Sequence, residues 1–287
     1  MENFYAFSDS IPDERETHYH NANDDIMTLN APWNVFWTGN ISLSRKTIQN
    51  AGCLDEGFQG WGGEDTEWGY WIYKSNAKIA LGRKAWGVHH PHEINLSSRS
   101  QTADHNLRNI IKKFPNLDCE LYCRYYEVWK FYYDKMTHLN VEELTEQEVK
   151  QIKQFIRAMY YSNVLVVHGE TFSDLPQVST IVETNRQSYI QLCSKGKNTY
   201  HLSGCYLPFD NNSYELAVIL PAWRSFDFDH KKNVVEEALR CAHMTNLIIR
   251  EDPSPFLPYF EQLNQTHRWK CEQLENSSCS VIQISRC

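Results

Sequence analysis

The hydrophobic pattern changes character part-way along the chain. The first thirty residues are polar, with Asp13-Glu14-Arg15-Glu16 and Asn21-Ala22-Asn23-Asp24-Asp25, and predict a helix leading to Ala31-Pro32. Asn34 to Leu43 reads as a strand, Ser44 to Gly52 as a short helix stopped by glycine, Thr66 to Ser75 as a helix and Ala77 to Leu81 as a strand. His105 to Phe114 reads as a helix ended by Pro115. Aromatic-rich helical sequence follows from Leu121 to Met136, and a charged amphipathic helix from Val141 to Tyr161 marks a domain joint. Beyond it, buried-type strands at 163–168, 180–183, 199–202, 215–220 and 246–250 alternate with short helices, which predicts a parallel α/β sheet. A helix near 255–265 and an apolar run at 280–284 can supply a closing antiparallel hairpin.

Between those elements lies one stretch too polar and too kinked for core: Gly60-Trp61-Gly62-Gly63-Glu64-Asp65-Thr66-Glu67-Trp68-Gly69-Tyr70. Glycine admits positive φ and close backbone approach to a ligand, tryptophan offers a flat face to a sugar ring, and a carboxylate accepts hydroxyl hydrogens or serves as general base. The stretch reads as a sugar site. A second cluster, His89-His90-Pro91-His92, follows a predicted strand and reads as a metal or phosphate site, since neutral imidazole suits a transition metal. Asp24-Asp25 has no apolar strand before it and reads as a solvated helix end.

Composition narrows the classes. The 287 residues allow one large domain or two medium ones, and 41% hydrophobic with 22% charged content is that of a globular protein. Nine Trp and 16 Tyr suit a flat ligand or a Tyr-rich core, and a formal net charge of -8 argues against nucleic-acid binding. No apolar run approaches the roughly 20 residues of a membrane span. Met1-Glu2-Asn3-Phe4 shows no secretory signal, and nine irregularly spaced cysteines read as free thiols in a reducing compartment, so a cytoplasmic location is expected.

Trp33, Phe36-Trp37-Thr38-Gly39-Asn40-Ile41-Ser42, then Leu54-Asp55-Glu56-Gly57-Phe58, Trp61-Gly62-Gly63-Glu64-Asp65-Thr66-Glu67 and His89-His90-Pro91-His92 occur in that order. Together they resemble the C-terminal half of GT-A glycosyltransferases, the galactosyltransferase C-terminal region shared with chondroitin-polymerase-like enzymes. The resemblance covers roughly residues 30 to 115. It implies Asp65 as catalytic base of an inverting, metal-dependent transfer from a nucleotide sugar to a hydroxyl acceptor. Trp61, Gly62, Gly63, Glu64, Asn40 and Trp37 would contact substrate, and His89 or His92 would ligate Mn2+ or Mg2+. The family's nucleotide-binding half, with its Asp-x-Asp motif, should precede Trp33; only about thirty polar residues do. Three readings stay open: that half is a separate polypeptide, the gene is truncated, or the segment is retained as an acceptor-binding remnant; the partner in question is a separate nucleotide-binding polypeptide or a second copy in a homo-oligomer.

Residues from about 160 to 287 resemble class I S-adenosylmethionine (SAM) methyltransferases through Leu207-Pro208-Phe209 and Asn212-Ser213-Tyr214-Glu215. The glycine loop expected after the first strand is replaced by His168-Gly169-Glu170-Thr171-Phe172, and the adenine-contacting Asp falls at Cys205. Glu183 keeps the position of a ribose ligand. SAM binding is not expected, and the domain reads as degenerate. The fold class is thus α/β: a partial GT-A domain over 1–138, a linking helix over 139–162 and a Rossmann-like methyltransferase-type domain over 163–287. Function reads as glycosyl transfer. The alternatives are a non-catalytic carbohydrate-binding or regulatory subunit of a glycosyltransferase, and a SAM-dependent methyltransferase acting on a glycosylated product.

Overall fold

The computed structural model describes residues 13–29, 31–88, 96–125, 129–137, 144–221, 226–249, 257–263, 267–273 and 279–286. The chain divides into two compact units, 1–110 and 111–287.

The described part of the first unit is helical. Helices α1 (Glu16–Asn21), α2 (Arg45–Ala51), α3 (Glu64–Lys74) and most of α4 (Leu96–Lys113) are joined by 3-10 turns at Ile26–Thr28, Pro32–Val35 and Thr38–Asn40. The expected strands at 34–43 and 77–81 are not formed, and the first-thirty helix is reduced to α1 and one 3-10 turn. Pro32 opens a 3-10 turn, and the neighbours Pro32-Trp33 and Val35-Phe36 are buried in pairs, which a two-residue period does not allow. Residues 77–81 do alternate, and Ile79 and Leu81 pack on Tyr19, Ile26 and Val35. No described strand of this unit lies beside them to complete a ladder, so the alternation yields an extended segment only.

Helix α3 is the spine of this unit. Ser44 caps α2 by accepting from the Thr47 N–H, and Gly52 ends it at φ 81°. The Gly52 carbonyl then accepts the indole N–H of Trp68 at 2.9 Å, tying α2 to α3. Trp68 and Ile72 pack with Phe36, and Tyr70 meets Trp33 edge-on at 5.1 Å. Gly69 permits this crossing, since a Cβ there would stand 2.7 Å from the Trp33 carbonyl oxygen. Full burial of each large apolar side chain stabilises the unit by about 1.5–3 kcal/mol.

The second unit holds α5 (Leu117–Tyr125), α6 (Trp129–Thr137), α7 (Glu146–Ala158) and a seven-stranded sheet. Its strands are β1 (Val164–Val167), β2 (Val178–Val182), β3 (Thr199–Tyr200), β4 (Tyr214–Ile219), β5 (Ala242–Ile249), β6 (His267–Gln273) and β7 (Ser280–Arg286). The order is β3-β2-β1-β4-β5-β7-β6, parallel from β3 to β5, with β7 antiparallel to both β5 and β6. The α/β sheet and its closing hairpin are as expected from the strand pattern. All four residues of β1 are buried, as a strand covered on both faces requires. Helices α8 (Arg186–Ser194) and α9 (Phe228–Cys241) connect strands, and α10 (Leu257–Leu263) precedes β6. Helix α7 opens on a capping box between Thr145 and Glu148, and its Ile152 and Ile156 join Val164, Val166, Leu216 and Val218 in one core.

Candidate functional site

The loop before α3 turns on three glycines with positive φ: Gly60 at 74°, Gly62 at 89° and Gly63 at 96°. Gly63 is the N-cap of α3 in a left-handed conformation, which a side chain would strain. The first turn of the helix then presents Glu64 and Asp65, both half-buried, to the positive end of the helix dipole. Trp61 stands 49% exposed on the loop. Glu67 does not share this surface: it is buried and accepts the Trp71 indole N–H at 2.8 Å.

Asp65 is fixed from across the unit. Its Oδ1 accepts the Thr38 backbone N–H at 3.1 Å and the Thr38 hydroxyl as well, 27 residues upstream. Next to Thr38, Trp37 donates its indole N–H to the Asn34 carbonyl at 3.2 Å and carries the Arg15 guanidinium 4.5 Å over its ring. Arg15 also pairs with Asp13 at 2.6 Å, and Asp65 lies within its electrostatic reach. Asn40 is exposed and donates to the Ala85 carbonyl at 2.9 Å. The structure therefore brings Trp37, Thr38 and Asp65 together, with Glu64 and the glycine loop alongside.

Sequence spacing gave no hint of the residues that hold the loop. Asn106 of α4 is buried, and its amide donates to the Gln59 carbonyl at 3.0 Å and the Gly62 carbonyl at 2.7 Å. Thr102, one turn earlier, accepts the Trp61 N–H at 3.1 Å. The only available signal was the spacing of Thr102 and Asn106 on one face of a polar helix, which by itself names no partner.

His89 and His92 lie outside the described residues. Among the described residues no group of three or more His, Cys, Asp or Glu is placed to hold a metal ion. Asp24 is bound to Arg83 at 2.6 Å, with Glu16 at 2.8 Å on the same guanidinium, and Asp25 caps the turn at 26–28.

Residues 17–93 match the family model described as the N-terminal domain of galactosyltransferase. That match covers 77 of the 287 residues and lies within the first unit. The motifs resemble a C-terminal region, whereas the family's description names an N-terminal one; the matched residues include the same loop. Validoxylamine A glucosyltransferase of Streptomyces hygroscopicus subsp. limoneus is 26% identical over 215 residues, covering 68% of this chain and 47% of that protein. Chondroitin synthase of Escherichia coli is 30% identical over 105 residues, covering 36% of this chain and 15% of that protein. The chain spans about half the length of the validoxylamine-type relatives it matches. The T. thermophilus 16S rRNA N2 G1207 methyltransferase superposes with a TM-score of 0.38 at 12% identity, covering 53% of this chain and 46% of that one. The architecture of the second unit rests on its own strand order instead.

In that unit the order reverses between β1 and β4, where open α/β sheets place ligands at the carboxyl ends of the strands. His168 follows β1 at φ 64°, with its Nδ1 3.1 Å from the Thr184 hydroxyl. His230 is fully buried, its Nδ1 2.6 Å from the Tyr125 hydroxyl, and the Phe226 ring packs on both imidazoles. Burial holds both histidines down to about 3, well below the ordinary value of 6.5. Glu183 follows β2 directly; its carboxylate is buried, is pushed up to about 7 by desolvation and accepts the Asn185 N–H at 2.9 Å. Glu120 of α5 is the buried acid that sequence reasoning missed. It accepts the backbone N–H groups of Ser203 at 2.5 Å, Gly204 at 2.8 Å and Tyr206 at 3.1 Å.

Proposed function

We propose that the first unit is the acceptor and base side of an inverting glycosyltransferase. The observation that carries this is Asp65, held by one oxygen at the head of α3 beside an exposed tryptophan and a glycine loop. Asp65 takes the proton of the acceptor hydroxyl. The freed oxygen attacks the anomeric carbon of a nucleotide sugar as the bond from that carbon to the diphosphate oxygen breaks, and the diphosphate departs with the electron pair. Trp61 offers its ring face to the acceptor, Glu64 accepts its hydroxyls, and Gly62 and Gly63 admit the sugar to the backbone. Trp37 and Asn40 belong to this reading as further substrate contacts. The kinship with proteins named glucosyltransferase and chondroitin synthase supports a hexosyl donor.

A divalent ion, Mn2+ or Mg2+, belongs to this reading through His89 and His92. Such an ion offsets charge on a departing diphosphate. No described residue supplies its ligands, and no step above depends on it.

The test is turnover of UDP-hexoses by the purified chain with Mn2+, comparing wild type with Asp65→Asn. Transfer or hydrolysis in the wild type, lowered at least 100-fold in the variant, supports the base assignment. Saccharide binding with no turnover would instead support the carbohydrate-binding subunit.

A further inference from the structure

Asp65 accepts two hydrogen bonds, and both come from Thr38 and end on the same oxygen. Among the described residues nothing donates to its Oδ2. A carboxylate on a helix N-terminus ordinarily turns about its last torsion to meet whichever N–H is nearest. Here that freedom is removed from outside the helix, by a backbone N–H and a β-branched hydroxyl that act as a two-pronged clamp. Thr38 is itself placed by the buried 3-10 turn at Pro32–Val35 and by Trp37, whose indole is tied back to Asn34. Arg15, anchored by Asp13 and by the Val35 carbonyl at 3.3 Å, adds a fixed positive charge on the same side.

We propose that Thr38 is the positioning residue of the site: it pins Oδ1 of Asp65 so that Oδ2 alone faces the acceptor hydroxyl. This rests on the assignment of Asp65 as base. Thr38 touches no substrate and acts through Asp65. A general base must stand within hydrogen-bond reach of the proton it removes, and a misplacement of about 1 Å costs on the order of 100-fold in rate. The hydroxyl of Thr38 therefore governs turnover and leaves acceptor affinity to Trp61 and Glu64.

The experiment measures transfer from UDP-hexoses to a panel of p-nitrophenyl hexosides in wild type, Thr38→Val, Thr38→Ser and Asp65→Asn, with thermal melting of each. Valine keeps the shape and loses the hydroxyl, whereas serine restores it. The expected result is a fall in kcat of about 10- to 100-fold in Thr38→Val, with acceptor KM within threefold of wild type, and recovery to within threefold in Thr38→Ser. Three outcomes overturn the proposal. Thr38→Val turning over like wild type while Asp65→Asn is dead shows that the clamp is idle and leaves the base assignment standing. Equal losses in Thr38→Val and Thr38→Ser, tracking a fall in Tm, show a purely structural role. Undiminished turnover in Asp65→Asn, or none in the wild type, removes the assignment on which the proposal rests.

Discussion

Replacing Glu120 is expected to weaken the second unit more than any change at the unit's surface. Its carboxylate is fully buried and satisfies three backbone N–H groups on the segment after β3, more than 80 residues away. In Glu120→Ala those donors lose their acceptor. Each unsatisfied buried donor costs about 1–3 kcal/mol, and water entering the space left by the side chain recovers part of it, so a net loss of about 3–5 kcal/mol is expected. In Glu120→Gln one oxygen remains for Gly204 and Tyr206, and the amide group turns a donor towards Ser203. The expected loss is about 1–3 kcal/mol.

The comparison with glutamine also has a pH signature. Desolvation raises Glu120 from its ordinary 4.5 to about 7, with the three N–H bonds opposing. The folded state therefore binds the proton more tightly than the unfolded chain. Glu120's titration contributes stability that is full below about 4.5 and is lost as pH rises through about 7, on the order of 3 kcal/mol across the window. Urea unfolding of wild type and Glu120→Gln between pH 4.5 and 7.5 reads this directly, and amide exchange at Ser203, Gly204 and Tyr206 localises it. The wild-type advantage should shrink as pH rises. A Glu120→Ala cost below 1 kcal/mol, or parallel pH curves for wild type and glutamine variant, would refute the reasoning.

Other outcomes follow from single contacts. Asn106→Ala frees the carbonyls of Gln59 and Gly62, so saccharide affinity measured by calorimetry should fall about 10-fold while the second unit's unfolding transition stays put. Gly63→Ala puts a Cβ 3.2 Å from Asn106 and Phe58 at φ 96°, and should lower first-unit stability by about 1–2 kcal/mol in thermal unfolding. His168 and His230 are held neutral, with folded values of about 3 against 6.5. Their contribution is full above 6.5 and lost as pH falls towards 3, opposite in sign to Glu120. His230→Gln should therefore flatten the acid limb of the unfolding curve. Calorimetric titration with SAM should give no heat in the wild type; binding below 100 μM would make the second unit a cofactor domain.

Local pattern settled what depends on neighbours in sequence. The continuous apolar run Val164-Leu165-Val166-Val167 specifies a strand buried on both faces, because only such a strand hides every side chain. Alternation of such runs with amphipathic helices was enough for the α/β sheet and its terminal hairpin. Glycines 60, 62 and 63 marked the sharp loop, since glycine takes positive φ at no steric cost, and the adjacent tryptophan and acids marked its chemistry. Tertiary structure decided the rest. Residues 34–43 and 77–81 have strand-like composition, but a strand exists only with a partner to complete its hydrogen bonds, and no described residue of the first unit provides one. The bonds from Thr38 to Asp65, from Asn106 to Gly62 and from Ser203 to Glu120 cross 27, 44 and 83 residues. No periodicity of 2 or 3.6 reaches that far. The loop's residue types are thus legible in one dimension, whereas the oxygen of Asp65 left to face a substrate is chosen only when the chain folds back on itself.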